Sequence, residues 1–118
     1  MAACVGAGAH VGLIPILGTL DAHPQGAMGL VMPLIDVAYR NLAGPPSLAS
    51  CTRDVYADGE CFEAPQALAI AHGIASAVCQ LHAHGIVHGD LYAHNILHAD
   101  AGACLLGDFG AASMFAPG

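Results

Sequence analysis

The sequence is poor in positive charge. Its 118 residues include two cations, Arg40 and Arg53, and nine acids, which gives a net charge of −7. Because neither cation is a lysine, every mechanism that needs a lysine ammonium group is excluded. A nucleic-acid surface or a site for anionic membranes also lacks the cations that would build it. We therefore expect neither nucleic acid nor a membrane as a partner.

Charged residues of both signs are scarce, whereas apolar residues are abundant. Hydrophobic residues make up 56% of the chain and charged residues 9%, with a mean hydropathy of +0.62. Disordered chains have the opposite balance. A length of 118 residues is also short for two domains. The composition predicts one domain, or a piece of one, with a buried core.

The cysteines form no recognisable framework. There are five, at positions 4, 51, 61, 79 and 104, and no two of them are spaced as C-x-x-C. An odd number at wide spacing indicates neither a zinc knuckle nor a set of disulfides. We expect a reducing compartment and hence a cytoplasmic location, with Cys79 and Cys104 as small buried apolar residues.

The uncharged segment 2–20 is long enough to suggest a membrane span. His10, Pro15 and several glycines interrupt it, and no positive charge flanks it. Both a spanning helix and a signal peptide need a continuous apolar stretch with basic flanks. We therefore expect neither.

Two short apolar segments, 11–18 and 29–35, predict an antiparallel pair of strands separated by a polar turn at 21–26. Pro15 places the first strand at an edge or a bulge, because proline cannot donate to a strand ladder. Segment 41–63 collects turn-forming residues and predicts a loop with at most one short helix.

A helix is predicted over residues 64–84. Pro65 is tolerated in its first turn, and Gly85 ends it. Its apolar face is predicted to comprise Ala67, Ala71, Ile74, Val78 and Leu81. Short strands then follow at 86–88, 96–98 and 103–106, and the turn at 100–102 predicts a hairpin between the last two. The fold class is therefore α+β.

A polar motif lies between the first two of these strands. From His88 the chain runs His-Gly-Asp-Leu-Tyr-Ala-His-Asn, so Asp90 and Asn95 are five residues apart. Asp108-Phe109-Gly110 begins thirteen residues after Asn95. Asx residues often cap turns, but their joint spacing favours a catalytic origin.

These letters resemble the eukaryotic-type protein kinase family, whose catalytic loop is H-R-D-L-x-x-x-N and whose metal-binding loop is D-F-G. Seven of the eight fixed letters match. The resemblance implies a partial protein-kinase-like fold, ATP and Mg²⁺ as cofactors, and a protein hydroxyl as acceptor. In the family roles, Asp90 accepts the proton of that hydroxyl, while Asn95 and Asp108 hold Mg²⁺ against the ATP phosphates.

The resemblance extends to the nucleotide pocket. Segment 30–35 is similar to the last small-lobe strand and the hinge of a kinase, which makes Met32 the gatekeeper and Leu34 part of the adenine-facing backbone. Leu97 resembles the apolar floor of that pocket. On this basis residues 1–35 are a small-lobe remnant with the hinge, and residues 36–118 are the start of the large lobe through the D-F-G motif.

The chain also departs from the family pattern. A glycine-rich loop, a strand lysine and its partner glutamate are not found in it, Gly89 replaces the catalytic-loop arginine, and Tyr92 replaces a lysine. We therefore expect little or no transferase activity from this chain alone, and expect further lobe segments to be needed for a complete fold. Specificity for serine/threonine or for tyrosine stays open.

Two other functions are compatible with the sequence. One is a non-catalytic module, either pseudokinase-like or a gene fragment, that at most binds nucleotide or a partner. The other is a metal site built from the histidines at 82, 84, 88, 94 and 98. Against the second, His88 is more simply explained as a packed, hydrogen-bonded strut.

Overall fold

The structure, a computed structural model, describes residues 2–51 and 54–116. The elements in chain order are α1 (Ala2–Gly6), β1 (Gly18–Leu20), β2 (Gly29–Val31), β3 (Arg40–Asn41), α2 (Ala64–Ala83), β4 (Ile86–Val87), β5 (Ile96–His98), β6 (Cys104–Leu106) and β7 (Ser113–Met114). Single turns of 3-10 helix cover Ala93–Asn95 and Phe109–Ala111. Mixed helices and small antiparallel sheets confirm the α+β class.

The long helix α2 forms where the sequence predicts it. It starts after Glu63 with Pro65 in the first turn, where a missing N–H costs no hydrogen bond. It ends at Ala83, one residue earlier than predicted, and Gly85 then takes a left-handed φ of 69°. A side chain is disfavoured in that conformation, so glycine is what allows the chain to turn from the helix into β4.

The buried face of α2 is only partly the predicted one. Ile74 and Leu81 are buried as expected, but Ala67 and Ala71 are exposed. The other buried positions of the helix are Ile70 and Ala77. The face is rotated because the helix packs on β4 and β6, whose side chains meet positions 70, 74, 77 and 81. Ala67 and Ala71 line an open apolar groove instead.

The predicted hairpin is confirmed as β5 and β6. They pair antiparallel with Ile96 opposite Leu106 and His98 opposite Cys104. The connecting turn is closed by the Gly102 N–H, which donates to the Ala99 carbonyl oxygen at 2.9 Å. β3 pairs with the other edge of β5, so this small sheet has the order β3-β5-β6.

The N-terminal pair of strands is confirmed, but it is shorter and shifted along the chain. β1 pairs antiparallel with β2, with Gly18 opposite Val31. The predicted span 11–18 was wrong because residues 12–14 bond elsewhere: the Leu106 N–H donates to the Gly12 carbonyl oxygen at 2.8 Å. β2 ends at Val31, two residues before Pro33, which has no N–H for a ladder.

The core lies between α2 and the strands that follow it. Leu81, Ile86 and Leu106 are completely buried, and Leu13 joins them from the N-terminal segment. Complete burial of three branched aliphatic side chains contributes on the order of 1.5–3 kcal/mol each. Cys104 is buried in this core as predicted, whereas Cys79 is exposed, so the expectation for Cys79 was wrong.

The loop at 41–63 contains no helix among its described residues; residues 52 and 53 of this prediction lie outside them. Its chain reversal is fixed by a two-way backbone bridge between Gly44 and Val55. Over the described ranges, no helix combines the length and the apolar character that crossing a bilayer requires.

Candidate active site

Asp90 and Asn95 are held together by the Asn95 side chain. Its Nδ2 donates to the Asp90 carbonyl oxygen and to Asp90 Oδ2, both at 2.9 Å. Because both partners are acceptors, the amide nitrogen faces them and Asn95 Oδ1 points away. The 3-10 turn brings Asn95 back toward Asp90. This turn is closed by the Asn95 N–H, which donates to the Tyr92 carbonyl oxygen at 3.0 Å. The Asn95 amide thus binds the Asp90 carboxylate through its nitrogen and keeps its oxygen outside both hydrogen bonds.

His88 links this loop to the segment that carries Asp108. Its ring is buried, its Nδ1 accepts from the Asp90 N–H at 3.3 Å, and its Nε2 lies 2.8 Å from the Gly107 carbonyl oxygen. Accepting at Nδ1 places the proton on Nε2, which donates to Gly107. The ring also packs on Phe109 at 5.2 Å between centroids. The interpretation of His88 as a hydrogen-bonded strut is confirmed.

Asp108 directly follows Gly107, which contacts the loop that carries Asp90 and Asn95. The Gly107 N–H donates to the Asn95 carbonyl oxygen at 3.2 Å. Asp108 itself has a left-handed φ of 51°, a conformation in which aspartate is enriched, and its Oδ1 accepts from the Gly110 N–H at 3.1 Å. Its side chain is exposed, and its Oδ2 takes no part in that hydrogen bond.

A cavity of about 510 Å³ adjoins Asp108. Its apolar walls come from α1, from the segment before β1 and from β2 with its flanking residues, and its polar end comes from the Asp108 segment. The lining residues are Cys4, Ile14, Ile16, Met28, Leu30, Met32, Gly107, Asp108, Phe109 and Gly110. The structure therefore brings the predicted gatekeeper Met32 and the predicted metal ligand Asp108 to one cavity.

The other predicted nucleotide-pocket residues lie outside the walls of this cavity. The Leu34 side chain is fully exposed. Leu97 is half-buried in β5, opposite Leu105. Asn95 is half-buried beside Asp90. Asp108, its predicted partner in binding the metal ion, is the residue after Gly107, whose N–H donates to the Asn95 carbonyl oxygen. The predicted site thus forms two groups, Met32 with Asp108 and Asp90 with Asn95, joined through the backbone at Gly107.

The oxygens of Asn95 and Asp108 suit Mg²⁺. This ion prefers hard oxygen ligands and is usually held by one or two protein side chains together with phosphates and water. Both side chains keep one oxygen outside the hydrogen bonds described above. Within the described ranges, no three His, Cys, Asp or Glu side chains cluster as a metal site, so a histidine centre gains no support.

Two further residues, Asp54 and Asn41, contact the catalytic loop, although no motif in the sequence marks them. Asp54 Oδ2 accepts from the Ala93 N–H at 2.6 Å, and Asp54 Oδ1 lies 2.7 Å from His94 Nδ1. Asn41 Nδ2 donates to the His94 carbonyl oxygen at 2.7 Å. No local signal reveals these contacts, because they join residues about 40–50 positions apart in sequence.

The electrostatics of Asp54 follow from these contacts. Burial acts to raise the pKa of Asp54, but the hydrogen bonds from His94 and from the Ala93 backbone outweigh it and lower the pKa below its ordinary value. The carboxylate therefore stays ionised at neutral pH, and its hydrogen bonds are charge-assisted.

Comparison with known proteins identifies the family. The family model described as "Protein kinase domain" matches residues 45–118, more than half of the chain.

The chain belongs to the protein kinase domain family.

Curated relatives match a shorter segment. The chain is similar to the serine/threonine-protein kinases TAO2 of Rattus norvegicus, Homo sapiens and Mus musculus, with 45% identity over 49 residues in each case. That segment is 42% of this chain and 4% of each relative. The chain thus corresponds to a small part of the kinases that it matches.

Two departures from the kinase pattern have visible structural consequences. Gly89, in place of the arginine, has a left-handed φ of 80°, and a Cβ built there would collide with the Ala111 carbonyl oxygen. Tyr92, in place of a lysine, stacks on His94 with 5.7 Å between ring centroids. In this kinase domain, both positions therefore serve packing and backbone geometry and supply no positive charge.

Proposed function

We propose that this chain contributes the nucleotide-binding and catalytic-loop part of a protein kinase that transfers the phosphoryl group of ATP, with Mg²⁺, to a protein hydroxyl. The observation that carries this proposal is the Asn95 side chain. Its nitrogen makes two 2.9 Å hydrogen bonds to Asp90, which turn its own oxygen away from the carboxylate, while the Asn95 backbone carbonyl oxygen accepts from the N–H of Gly107, the residue before Asp108. The membership of the family supports the same reaction.

The proposed roles follow from the hydrogen bonds. Asn95 Nδ2 occupies Asp90 Oδ2, which leaves Asp90 Oδ1 to accept the proton of a substrate hydroxyl. Asn95 Oδ1 and Asp108 Oδ2 would hold the metal ion. When bound, Mg²⁺ supplies the positive charge that neutralises the phosphate oxygens. His88 keeps the two loops in register through Gly107.

The low positive charge limits what the chain can do alone. Arg40 forms an exposed ion pair with Asp100 at 2.8 Å, and no lysine is present to contact the phosphates. Positioning and charge stabilisation account for nearly all catalysis of phosphoryl transfer. We therefore propose that the isolated chain binds nucleotide with Mg²⁺ but has little or no transferase activity. A cytoplasmic location, consistent with the cysteine pattern, belongs to the same proposal.

The test is calorimetric titration of ATP into the purified chain, with and without Mg²⁺. We expect Mg²⁺ to strengthen ATP binding, and Asp108→Ala or Asn95→Ala to remove this strengthening. Asp21→Ala is the matched control, since it removes one carboxylate from an exposed turn. ATP binding that is absent, or that is unaffected by Mg²⁺, would overturn the proposal.

A phosphotransfer assay with Asp90→Asn as its control tests whether the isolated chain has any transferase activity. The non-catalytic alternative is favoured by Gly89 and Tyr92, which supply no charge to the site. We expect no phosphorylation above the level of the Asp90→Asn variant. Strong Asp90-dependent phosphorylation by the chain would contradict the expected low activity.

A further inference from the structure

We propose that Asp54, assisted by Asn41, is a positioning residue that fixes the orientation of Asn95 for the metal ion. This inference rests on the proposed function, because it assigns a role to Asn95 in Mg²⁺-dependent ATP binding. Neither residue belongs to the motifs that identified the site. Both lie in the segment between the predicted hinge and α2.

The 3-10 turn that carries Asn95 lacks a local cap. Its first N–H groups have no partner inside the turn, and such groups are usually satisfied by the side chain that precedes the helix. That residue is Tyr92, whose side chain makes no capping hydrogen bond. A tyrosine hydroxyl stands too far from its own backbone to bond the next N–H groups, so the cap has to come from elsewhere.

Asp54 supplies this cap from 39 residues away. Its Oδ2 accepts the Ala93 N–H at 2.6 Å, which satisfies the first donor of the turn. Its Oδ1 simultaneously pairs with the His94 ring at 2.7 Å, so the carboxylate contacts two consecutive residues of a three-residue turn. A carboxylate that bonds two groups at once fixes an orientation as well as a distance.

Asn41 holds the same turn at its carbonyl side. Its Nδ2 donates to the His94 carbonyl oxygen at 2.7 Å. Asn41 itself is fixed because it lies in β3, paired with Leu97 of β5. The residue directly before Asn95 is therefore held both at its ring and at its carbonyl oxygen.

The Asp54 contacts are protected from solvent. The Asp54 side chain is 10% exposed and that of His94 18% exposed. Hydrogen bonds to a carboxylate lose most of their strength when water competes for them, and exposed ion pairs contribute little. At this degree of burial the Asp54 contacts are strong enough to constrain the loop.

The consequence concerns the direction of Asn95 Oδ1. Groups that hydrogen-bond and orient metal ligands typically change metal affinity by about 10- to 100-fold when they are removed. Loss of the Asp54 carboxylate frees the 93–95 turn, so Asn95 exchanges between orientations and its oxygen is less often directed at the ion. ATP binding in the absence of Mg²⁺ does not depend on that oxygen.

The experiment measures the dissociation constant of ATP with and without Mg²⁺ for the wild-type chain and for Asp54→Ala, Asp54→Asn and Asp58→Ala. Asp58→Ala is the control, since it removes the same charge from an exposed position in the same loop. We expect Asp54→Ala to weaken Mg²⁺-dependent binding by about 10- to 100-fold while Mg²⁺-free binding changes by less than about twofold. Asp54→Asn should recover part of the loss, because its amide oxygen can still accept from Ala93.

The outcomes separate the two proposals. A wild-type chain without Mg²⁺-dependent ATP binding would overturn the proposed function and, with it, this inference. If Mg²⁺ strengthens ATP binding in the wild-type chain and Asp54→Ala has the same dissociation constants, the positioning role alone is overturned. An equal loss with and without Mg²⁺ would also overturn it, because that is the mark of general destabilisation. If Asp54→Ala fails to fold by far-UV circular dichroism, Asp54→Asn decides by the same criteria. We then expect Asp54→Asn to weaken ATP binding only in the presence of Mg²⁺, and by less than Asn95→Ala does.

Discussion

His98 should destabilise the fold through its imidazole ring. The ring is completely buried in β5, and within the described part of the chain neither ring nitrogen has a hydrogen-bond partner. A buried polar group without a partner costs about 1–3 kcal/mol, whereas the edge-on contact with Phe62, at 5.3 Å between centroids, returns about 0.5–1.5 kcal/mol. His98→Leu should therefore raise the free energy of unfolding at pH 7.5 by about 1 kcal/mol.

The same burial makes wild-type stability depend on pH. Burial lowers the pKa of His98 below its ordinary value of 6.5, and the charge of Arg40 acts in the same direction. As the pH falls through 6.5, the unfolded chain binds more protons at this position than the folded chain does, so stability falls as the pH falls. From pH 7.5 to 5.5 the loss from this single group reaches at most about 1.4 kcal/mol. His98→Leu should abolish this part of the pH dependence.

Urea unfolding followed by far-UV circular dichroism at pH 7.5 and 5.5 measures both effects. His72→Leu is the control, since it removes an exposed histidine from α2 and should change stability by less than about 0.5 kcal/mol. The reasoning is refuted if His98→Leu is clearly less stable than the wild type at pH 7.5 and loses stability with acid as steeply as the wild type does.

Two glycines give further predictions. A Cβ built on Gly73 lies 2.5 Å from Cys104 Sγ, so Gly73→Ala should destabilise the fold by about 1–3 kcal/mol despite the better helix propensity of alanine. Adding Cys104→Ala should relieve the clash, and a double-mutant cycle in urea should show at least about 1 kcal/mol of favourable coupling; strictly additive effects would contradict it. Gly89→Ala should lower the free energy of unfolding, measured with heat or urea, by at least about 1–2 kcal/mol, because Gly89 has a left-handed φ and lies close to the Ala111 carbonyl oxygen. Unchanged stability would show that this backbone conformation is not required.

The parts of the fold that could be predicted are those specified by neighbouring residues. The bounds of α2 follow from Pro65 and Gly85, which act within one turn of the helix ends. The β5–β6 hairpin follows from its short turn at 100–102. The catalytic loop and the D-F-G motif were recognised because their spacing is fixed within a short stretch of chain.

The parts that could not be predicted depend on distant contacts. Residues 12–14 have the composition of a strand, yet their backbone groups pair with Leu106, more than 90 positions away. Asp54 has the same local surroundings as the other turn formers of the 41–63 loop, and only the folded chain brings it to Ala93. The predicted face of α2 failed at Ala67 and Ala71 because small apolar residues fit either side of a helix, so the neighbouring strands decide which side is buried.

The parallel bridge between Leu13 and Leu106 has a thermodynamic consequence. It fastens the N-terminal ribbon, formed by β1 and β2, to the buried core. Leu20 and Val31 of the ribbon are nearly half exposed, whereas Leu106 is completely buried. Such weakly packed units open locally at lower free energy than the core does. The cavity beside Asp108 has one wall in each part, through Met32 and Phe109. A local opening of the ribbon that leaves the core folded would therefore change the width of this cavity, and a molecule that touches both walls would slow amide exchange in the ribbon.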